Sequence, residues 1–162
     1  RIAAKRYLNL YPRGPDAAFA QYMVGVSFFE AIVDVRRDQG AAVDSVREFQ
    51  RLKLNYPDSS FSNLATEKFK IAHSQLAGQE MSVGRYYLRR EEYLAAINRF
   101  LIVTNEYDDT IFSVEAFYRL TEAYVALEMQ SLAIENDTLI SQKFPNSKWT
   151  KKSNELVSKM NL

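Results

Sequence analysis

The sequence predicts an all-α fold of stacked antiparallel helix pairs, and two observations lead to that fold class. First, a pattern recurs in which a small residue is followed, about twelve positions later, by a Pro or Asp turn. The four copies begin at Ala3, Ser45, Ala96 and Ala133, and in the first three an aromatic residue stands four positions after the small one. Second, the 162 residues include only 5 Gly and 4 Pro, which favours long helices over many short strands.

The last two copies match the tetratricopeptide pattern, in which an aromatic residue of the first helix precedes a small residue of the second at a fixed distance. Tyr87 precedes Ala96 by nine residues, and Tyr124 precedes Ala133 by nine, although Asp137 stands where the pattern has Phe. Small residues let the two helices of a repeat approach closely, and Pro ends a helix because it cannot continue one. The predicted architecture is therefore a tetratricopeptide-repeat solenoid.

The front of the chain is assigned in order from this pattern. Residues 1–14 are interpreted as the second helix of a truncated repeat, and residues 16–57 as a complete repeat. Phe28 and Ser45 are seventeen residues apart, against nine between the equivalent positions of later copies. The additional residues are assigned to an inserted polar loop at 34–40, because surface loops accept insertions at low cost.

The back of the chain begins with a repeat at residues 60–108 whose first helix is over-long. Apolar residues keep a spacing of three to four from Phe61 to Tyr87, and only Glu80 interrupts that stripe. This spacing predicts one continuous helix over about 62–89. A further repeat covers 111–145, and residues 147–162 form a helix that caps the solenoid.

Composition argues against several classes of function. A net charge of +1 disfavours a general nucleic-acid binder, and the absence of cysteine excludes disulfides and thiolate metal sites. His73 is the only histidine and has no metal-ligand partner at a suitable spacing, so it is interpreted as structural or solvated. No phosphate-binding loop or catalytic triad order occurs, so we expect no catalytic residue, metal or cofactor.

Two segments are more specific than a generic repeat. Residues 79–100 contain Val83-Gly-Arg-Tyr-Tyr87 and the pair Asn98-Arg99, and a Tyr-Asp-Asp-Thr turn ending at Thr110 follows. Residues 21–25 lead into an insertion that contains Arg and Asp. With the over-long helix, these features resemble the BamD (ComL) family, tetratricopeptide lipoproteins of the outer-membrane β-barrel assembly machine.

The resemblance implies a non-catalytic scaffold with several protein partners. These are a BamA-like barrel subunit, contacted through a periplasmic POTRA domain, other lipoproteins of the machine, and unfolded outer-membrane proteins. The last group is expected to bind mostly through N-terminal repeats that this chain lacks. The chain lacks an initiator Met, so we interpret it as a fragment. The implied location is the periplasmic face of the outer membrane, with a lipid anchor upstream.

Six residues are predicted to contact partners. The resemblance places Asn98 and Arg99 in the helix that faces the POTRA domain, and Arg presents a planar fork suited to a partner carboxylate. Arg89 and Arg90 lie in the turn before that helix, and turns of this kind collect on one edge of a solenoid. Arg36 and Arg37 are candidate contacts in the inserted loop.

Two alternatives remain open at the level of sequence. One is a generic tetratricopeptide adaptor that binds an extended peptide or a chaperone in its concave face. The other is an enzyme, which would require a cluster of titratable side chains. A solvated surface arginine is also the plainer interpretation of Arg99 and of the arginines at 89 and 90.

Overall fold

A computed structural model describes residues 1–33 and 38–160 and confirms the predicted all-α fold class. Within these residues the chain forms eight α-helices and no strand. The helices are α1 (Ile2–Leu10), α2 (Ala17–Phe29), α3 (Gly40–Asn55), α4 (Ser60–Arg89), α5 (Tyr93–Glu106), α6 (Ser113–Ala126), α7 (Gln130–Lys143) and α8 (Lys148–Met160). They belong to two compact units, residues 1–76 and 77–162, and α4 contributes to both.

In the first unit, α2 packs against both α1 and α3. Its core contains Val26, Phe49, Leu52 and Ala65, all at most 8% exposed. Gly25 makes the approach of α2 to α3 possible, because a Cβ at this position would lie 2.5 Å from Cε1 of Phe49. Ser45 Oγ donates a hydrogen bond of 3.2 Å to the Gly25 carbonyl and fixes the same crossing.

In the second unit, α6 is central and packs against α5, α7 and α8. The core is larger here and includes the fully buried side chains of Met81, Phe100 and Val103. Gly84 repeats the device of the first unit, since its Cβ would lie 2.5 Å from Cε1 of Phe100. Each unit therefore pairs a helix glycine with a buried phenylalanine.

In the last repeat, where Asp137 stands at the position of the pattern's Phe, the helices are joined by a different contact. Thr121 replaces glycine in the equivalent crossing, and Asn136 Nδ2 donates to Thr121 Oγ1 at 2.9 Å and to the Phe117 carbonyl at 2.6 Å. Thr121 Oγ1 also lies 2.9 Å from Ser153 Oγ of α8. A satisfied polar network thus occupies the place of the glycine–phenylalanine contact.

The predicted long helix is confirmed, and it starts two residues earlier than expected. Its start at Ser60 is capped by Ser59, whose Oγ accepts a hydrogen bond of 3.2 Å from the Phe61 N–H. The helix ends at Arg89, and Glu91 then adopts the left-handed conformation with φ of 60°. Helix α8 begins in the same way, because the Trp149 N–H donates to Ser147 Oγ at 3.1 Å.

Four helices end with one geometry. The residues that follow α1, α3, α5 and α7 are aromatic, their φ lies between −130° and −137°, and each N–H bonds to the carbonyl four residues earlier. These residues are Tyr11, Tyr56, Tyr107 and Phe144. We infer that the four helices are equivalent members of a repeat. In the first copy this equivalence puts Pro12, directly after Tyr11, at the turn position that Pro57 has after Tyr56, so the expected turn twelve residues after Ala3, at Pro15, is displaced by three residues.

Candidate protein-binding site

The close contact of Gly84 with Phe100 positions the site, because it holds α5 against the C-terminal part of α4. Ala96, Phe100 and Val103 point into the core and are fully buried. The helical period then leaves Asn98 exposed and Arg99 partly exposed on the outside of α5. The two helices therefore form a firm support for side chains that face outward.

Arg99 forms an ion pair with Glu80 of α4. Its Nη1 donates to Oε2 of Glu80 at 3.1 Å. The Glu80 side chain is 14% exposed and that of Arg99 is 41% exposed, so the carboxylate lies beneath the guanidinium. Among the contacts of the described residues, this bond uses one of the five N–H donors of Arg99. Glu80 thus orients the guanidinium, and the Arg99 side chain keeps an exposed surface.

The turn between α4 and α5 carries the second predicted pair, Arg89 and Arg90, and both side chains are exposed. Arg90 Nε donates to Oε1 of Glu92 at 2.8 Å, and its guanidinium lies 5.5 Å from the ring centroid of Tyr86. The hydrogen bond to Glu92 and the electrostatic attraction of Tyr86 and Glu92 raise the pKa of Arg90. This turn precedes the helix that carries Asn98 and Arg99, so the two predicted pairs lie on consecutive elements.

The remaining residues singled out in the sequence add no contact to this site. Arg36 and Arg37 lie outside the described residues. His73 is buried, and its ring stacks on Phe69 with centroids 5.0 Å apart, as expected of a structural histidine. Among residues 1–33 and 38–160, no three His, Asp or Glu side chains are grouped to hold a metal ion.

Sequence reasoning missed a second ionic network in the same unit. Arg85 of α4 makes a bidentate contact with Glu115 of α6, with Nε–Oε1 and Nη2–Oε2 distances of 2.9 and 2.6 Å. Arg119 joins the network through Glu115 Oε1 at 3.3 Å and Glu122 Oε2 at 2.7 Å. The spacing of Arg119 from Glu115 and Glu122 on α6 is visible in the sequence and predicts these two ion pairs. The contact of Glu115 with Arg85, thirty residues earlier, cannot be predicted from spacing.

The pKa of Glu115 reflects the balance of burial and charge in this network. Burial alone would raise the pKa, but the hydrogen bonds and charges of Arg85 and Arg119 outweigh it, so the pKa lies below its ordinary value. Glu115 is therefore a structural carboxylate that is ionised at neutral pH.

A groove of about 300 Å³ opens between α5 and α7, above buried residues of α6. Leu132 and Leu139 of α7 line it and are 43% and 39% exposed. Lys143 lies at the same groove and is 3.8 Å from Asp108. The groove offers apolar contact with charge at its margin.

None of the described helices combines the length and apolar character that crossing a membrane requires.

Comparison with known proteins gives a consistent result. The family model YfiO, described as outer membrane lipoprotein, matches residues 1–139. A protein of Caulobacter vibrioides called outer membrane protein assembly factor BamD is 36% identical over 146 residues, which are 90% of this chain and 48% of that protein.

Two further relatives carry the same name. The protein of Rickettsia prowazekii is 35% identical over 151 residues, or 93% of this chain and 60% of that protein. The protein of Neisseria gonorrhoeae is 30% identical over 155 residues, or 90% of this chain and 58% of that protein. The chain thus spans about half to three-fifths of the length of these relatives.

Proposed function

The chain belongs to the YfiO family of outer membrane lipoproteins, and from this premise we propose that it is a non-catalytic scaffold in outer-membrane protein assembly. The name shared by its relatives, outer membrane protein assembly factor, supports that role. The proposed location is the periplasmic face of the outer membrane, with a lipid anchor carried by a part of the protein upstream of this chain.

The proposed partner is a POTRA domain of a BamA-like barrel subunit, bound through the outer face of α5. The observation that carries this proposal is the ion pair of Arg99 with the more deeply buried Glu80. A guanidinium that is already oriented loses less conformational entropy when a partner carboxylate binds it. Asn98, Arg89 and Arg90 are placed at the margin of the same contact. Other lipoproteins of the machine and unfolded outer-membrane proteins are proposed as further partners of the whole protein.

The test measures affinity for purified POTRA domains of the barrel subunit from the same organism. Arg99→Glu is expected to weaken binding by about tenfold or more, because it removes a charge pair and faces both Glu80 and the partner's carboxylate. Arg99→Lys keeps the charge and loses the planar fork, so an intermediate loss is expected. Arg13→Glu is the matched control, because it reverses an exposed arginine of the first unit.

Circular dichroism and urea unfolding establish that each variant is folded before its affinity is compared. If folded Arg99→Glu binds the POTRA domains as well as Arg13→Glu does, the proposed contact is wrong.

A second candidate function, binding of an extended peptide, is favoured by the groove beside α7. Leu132 lines this groove, whereas Ile134 is similarly exposed, at 45%, and does not. A peptide with alternating apolar residues should therefore bind less tightly to Leu132→Glu than to Ile134→Glu. Equal affinities for the two variants would exclude the groove as a peptide site, whatever the result for Arg99.

A further inference from the structure

Helices α6 and α8 bring two aromatic rings together at the surface of the second unit. The rings of Tyr118 and Trp149 have centroids 5.2 Å apart and are inclined by 32°. About one helical turn further along, the buried hydroxyl groups of Thr121 and Ser153 lie 2.9 Å apart and join the same two helices. This hydrogen bond holds α6 and α8 together next to the ring pair.

Three cationic side chains surround these rings. The Arg119 guanidinium lies 5.3 Å from the centroid of Tyr118 and 5.5 Å from that of Trp149. The Lys148 and Lys152 ammonium groups lie 5.2 and 4.9 Å from the centroid of Trp149. We call these five residues the cationic aromatic face.

The charges on this face are only partly balanced. Arg119 is paired with Glu115 and Glu122. Lys148 and Lys152 are exposed, and within the described part of the chain neither has an ion pair with a carboxylate. Contact with an aromatic ring orients an ammonium group without neutralising it. The face thus holds two oriented positive charges that form no ion pair within the described residues. The carboxylates of Glu122 and Glu155 also lie near this face, since their charges add to the effect of burial in raising the pKa of Tyr118.

We propose that the cationic aromatic face binds an acidic segment of a partner protein. Carboxylates of that segment pair with Lys148 and Lys152, and an apolar side chain next to them packs along Trp149. Charge complementarity carries this assignment. The face lies on α6 and α8, so it is a site additional to the one proposed on α4 and α5.

A protein segment fits these residues better than a lipid surface does. Aromatic side chains that anchor proteins at bilayers project their rings into the interface. Tyr118 and Trp149 are instead half-buried and lie against each other, with cationic side chains beside them. In addition, none of the exposed large apolar side chains in the described residues belongs to α8.

Trp149 is the only tryptophan in the chain, so its fluorescence reports on this face alone. The probe is a fluorescein-labelled peptide of eight glutamates with one central leucine, and a glutamine counterpart is the reference. We expect the acidic peptide to bind at physiological salt. The same peptide without the fluorescein label should change the fluorescence emission of Trp149. Binding should weaken as the ionic strength rises.

Lys148→Glu/Lys152→Glu should reduce the affinity measured by peptide anisotropy by about tenfold or more. Arg13→Glu/Lys53→Glu is the control, because it reverses two exposed cations of the first unit and changes the net charge equally. The control should stay within about twofold of the parent chain, since salt screens charges more than a Debye length away.

Three results would overturn the inference. One is an unchanged Trp149 emission when the acidic peptide binds, and another is equal binding of the glutamine peptide. The third is failure to bind the acidic peptide at physiological salt, and binding to phosphatidylglycerol vesicles in that case would identify the face as a membrane contact. Circular dichroism of both double variants shows whether a loss of affinity reflects a loss of fold.

Discussion

Gly84 determines how closely α5 lies against α4. Replacing it with Ala places a Cβ 2.5 Å from Cε1 of Phe100, whose side chain is fully buried and cannot move aside. We expect Gly84→Ala to lower the free energy of unfolding by about 1–3 kcal/mol, even though Ala favours the helix itself. Urea denaturation followed by circular dichroism measures the change.

Gly78 of the same helix is the matched control. Its Cβ would lie 3.1 Å from Cζ of Phe112, which is only partly buried and has room to shift. Gly78→Ala should therefore leave the free energy of unfolding unchanged or raise it by up to about 1 kcal/mol. Equal losses for the two substitutions would mean that Phe100 does not set the approach of the helices.

Glu115 makes stability depend on pH. Its folded-state pKa is lowered, so its carboxylate stabilises the fold above the unfolded pKa, and this contribution is lost as the pH falls through the folded pKa. Glu115→Gln should cost about 1–2 kcal/mol at pH 7, because hydrogen bonds to a charged group are lost. The difference in the free energy of unfolding between Glu115→Gln and the parent chain should become smaller as the pH falls below about 4, which is near the pKa of Glu in the unfolded chain.

Unfolding at a series of pH values tests this expectation. Glu67→Gln is the control, since the side chain of Glu67 is 77% exposed and its pair with Lys70 contributes little. A Glu115→Gln penalty that stays constant down to pH 3 would contradict the proposed ionic origin.

The sequence showed some residues of the site and hid others. Glu80 was visible as the one interruption in an apolar stripe, but nothing in the pattern paired it with Arg99 of the next helix. The contact of Tyr118 with Trp149 was equally hidden, because the two residues lie thirty-one positions apart. Spacing predicts neighbours on one helix, whereas contacts between helices depend on the crossing geometry.

At the scale of elements, the turn between α4 and α5 contains a strained residue. Glu91 has a φ of 60°, a region that costs a residue with a Cβ about 1 kcal/mol or more. Its side chain is exposed. Glu91→Gly should therefore raise the free energy of unfolding by about 0.5–1 kcal/mol, which thermal and urea unfolding can both measure.

Glu67→Gly provides the opposite case. Glu67 lies inside α4, where glycine costs about 1 kcal/mol relative to a good helix former. A loss of stability at both positions would show that the left-handed conformation of Glu91 carries no strain.

The helices themselves were largely predictable. The apolar spacing fixed α4 to within two residues, and the Pro or Asp turns marked the ends of α3, α5 and α7. The chemistry of the helix ends was less accessible. The residue after each of these helices is an aromatic with a common geometry, whereas the sequence reasoning had given that role to the Pro or Asp that follows.

At the scale of the whole molecule, the two units have separate cores, one around Phe49 and one around Phe100. Replacing either phenylalanine with Ala should lower the free energy of unfolding by about 3–5 kcal/mol. In stacked repeats such a loss is felt mainly by neighbouring helices. Amide exchange should therefore accelerate chiefly in α2 and α3 for Phe49→Ala, and in α5 and α6 for Phe100→Ala.

Hydrogen exchange followed by mass spectrometry resolves these segments. Uniform acceleration along the chain for both substitutions would show that the molecule unfolds as one cooperative body. Such a result would leave the fold unchanged and would revise only how its stability is distributed.

The turns after α4 and α6 share one backbone. Glu92 and Met129 each donate an N–H to the carbonyl five residues earlier, at 3.0 and 2.9 Å, and a left-handed Glu precedes each of them. Their sequences nevertheless differ, since Arg89-Arg-Glu-Glu92 is charged and Ala126-Leu-Glu-Met129 is mostly apolar. One backbone path therefore presents a charged surface after α4 and a mostly apolar one after α6, where Leu127 packs against the core of the second unit.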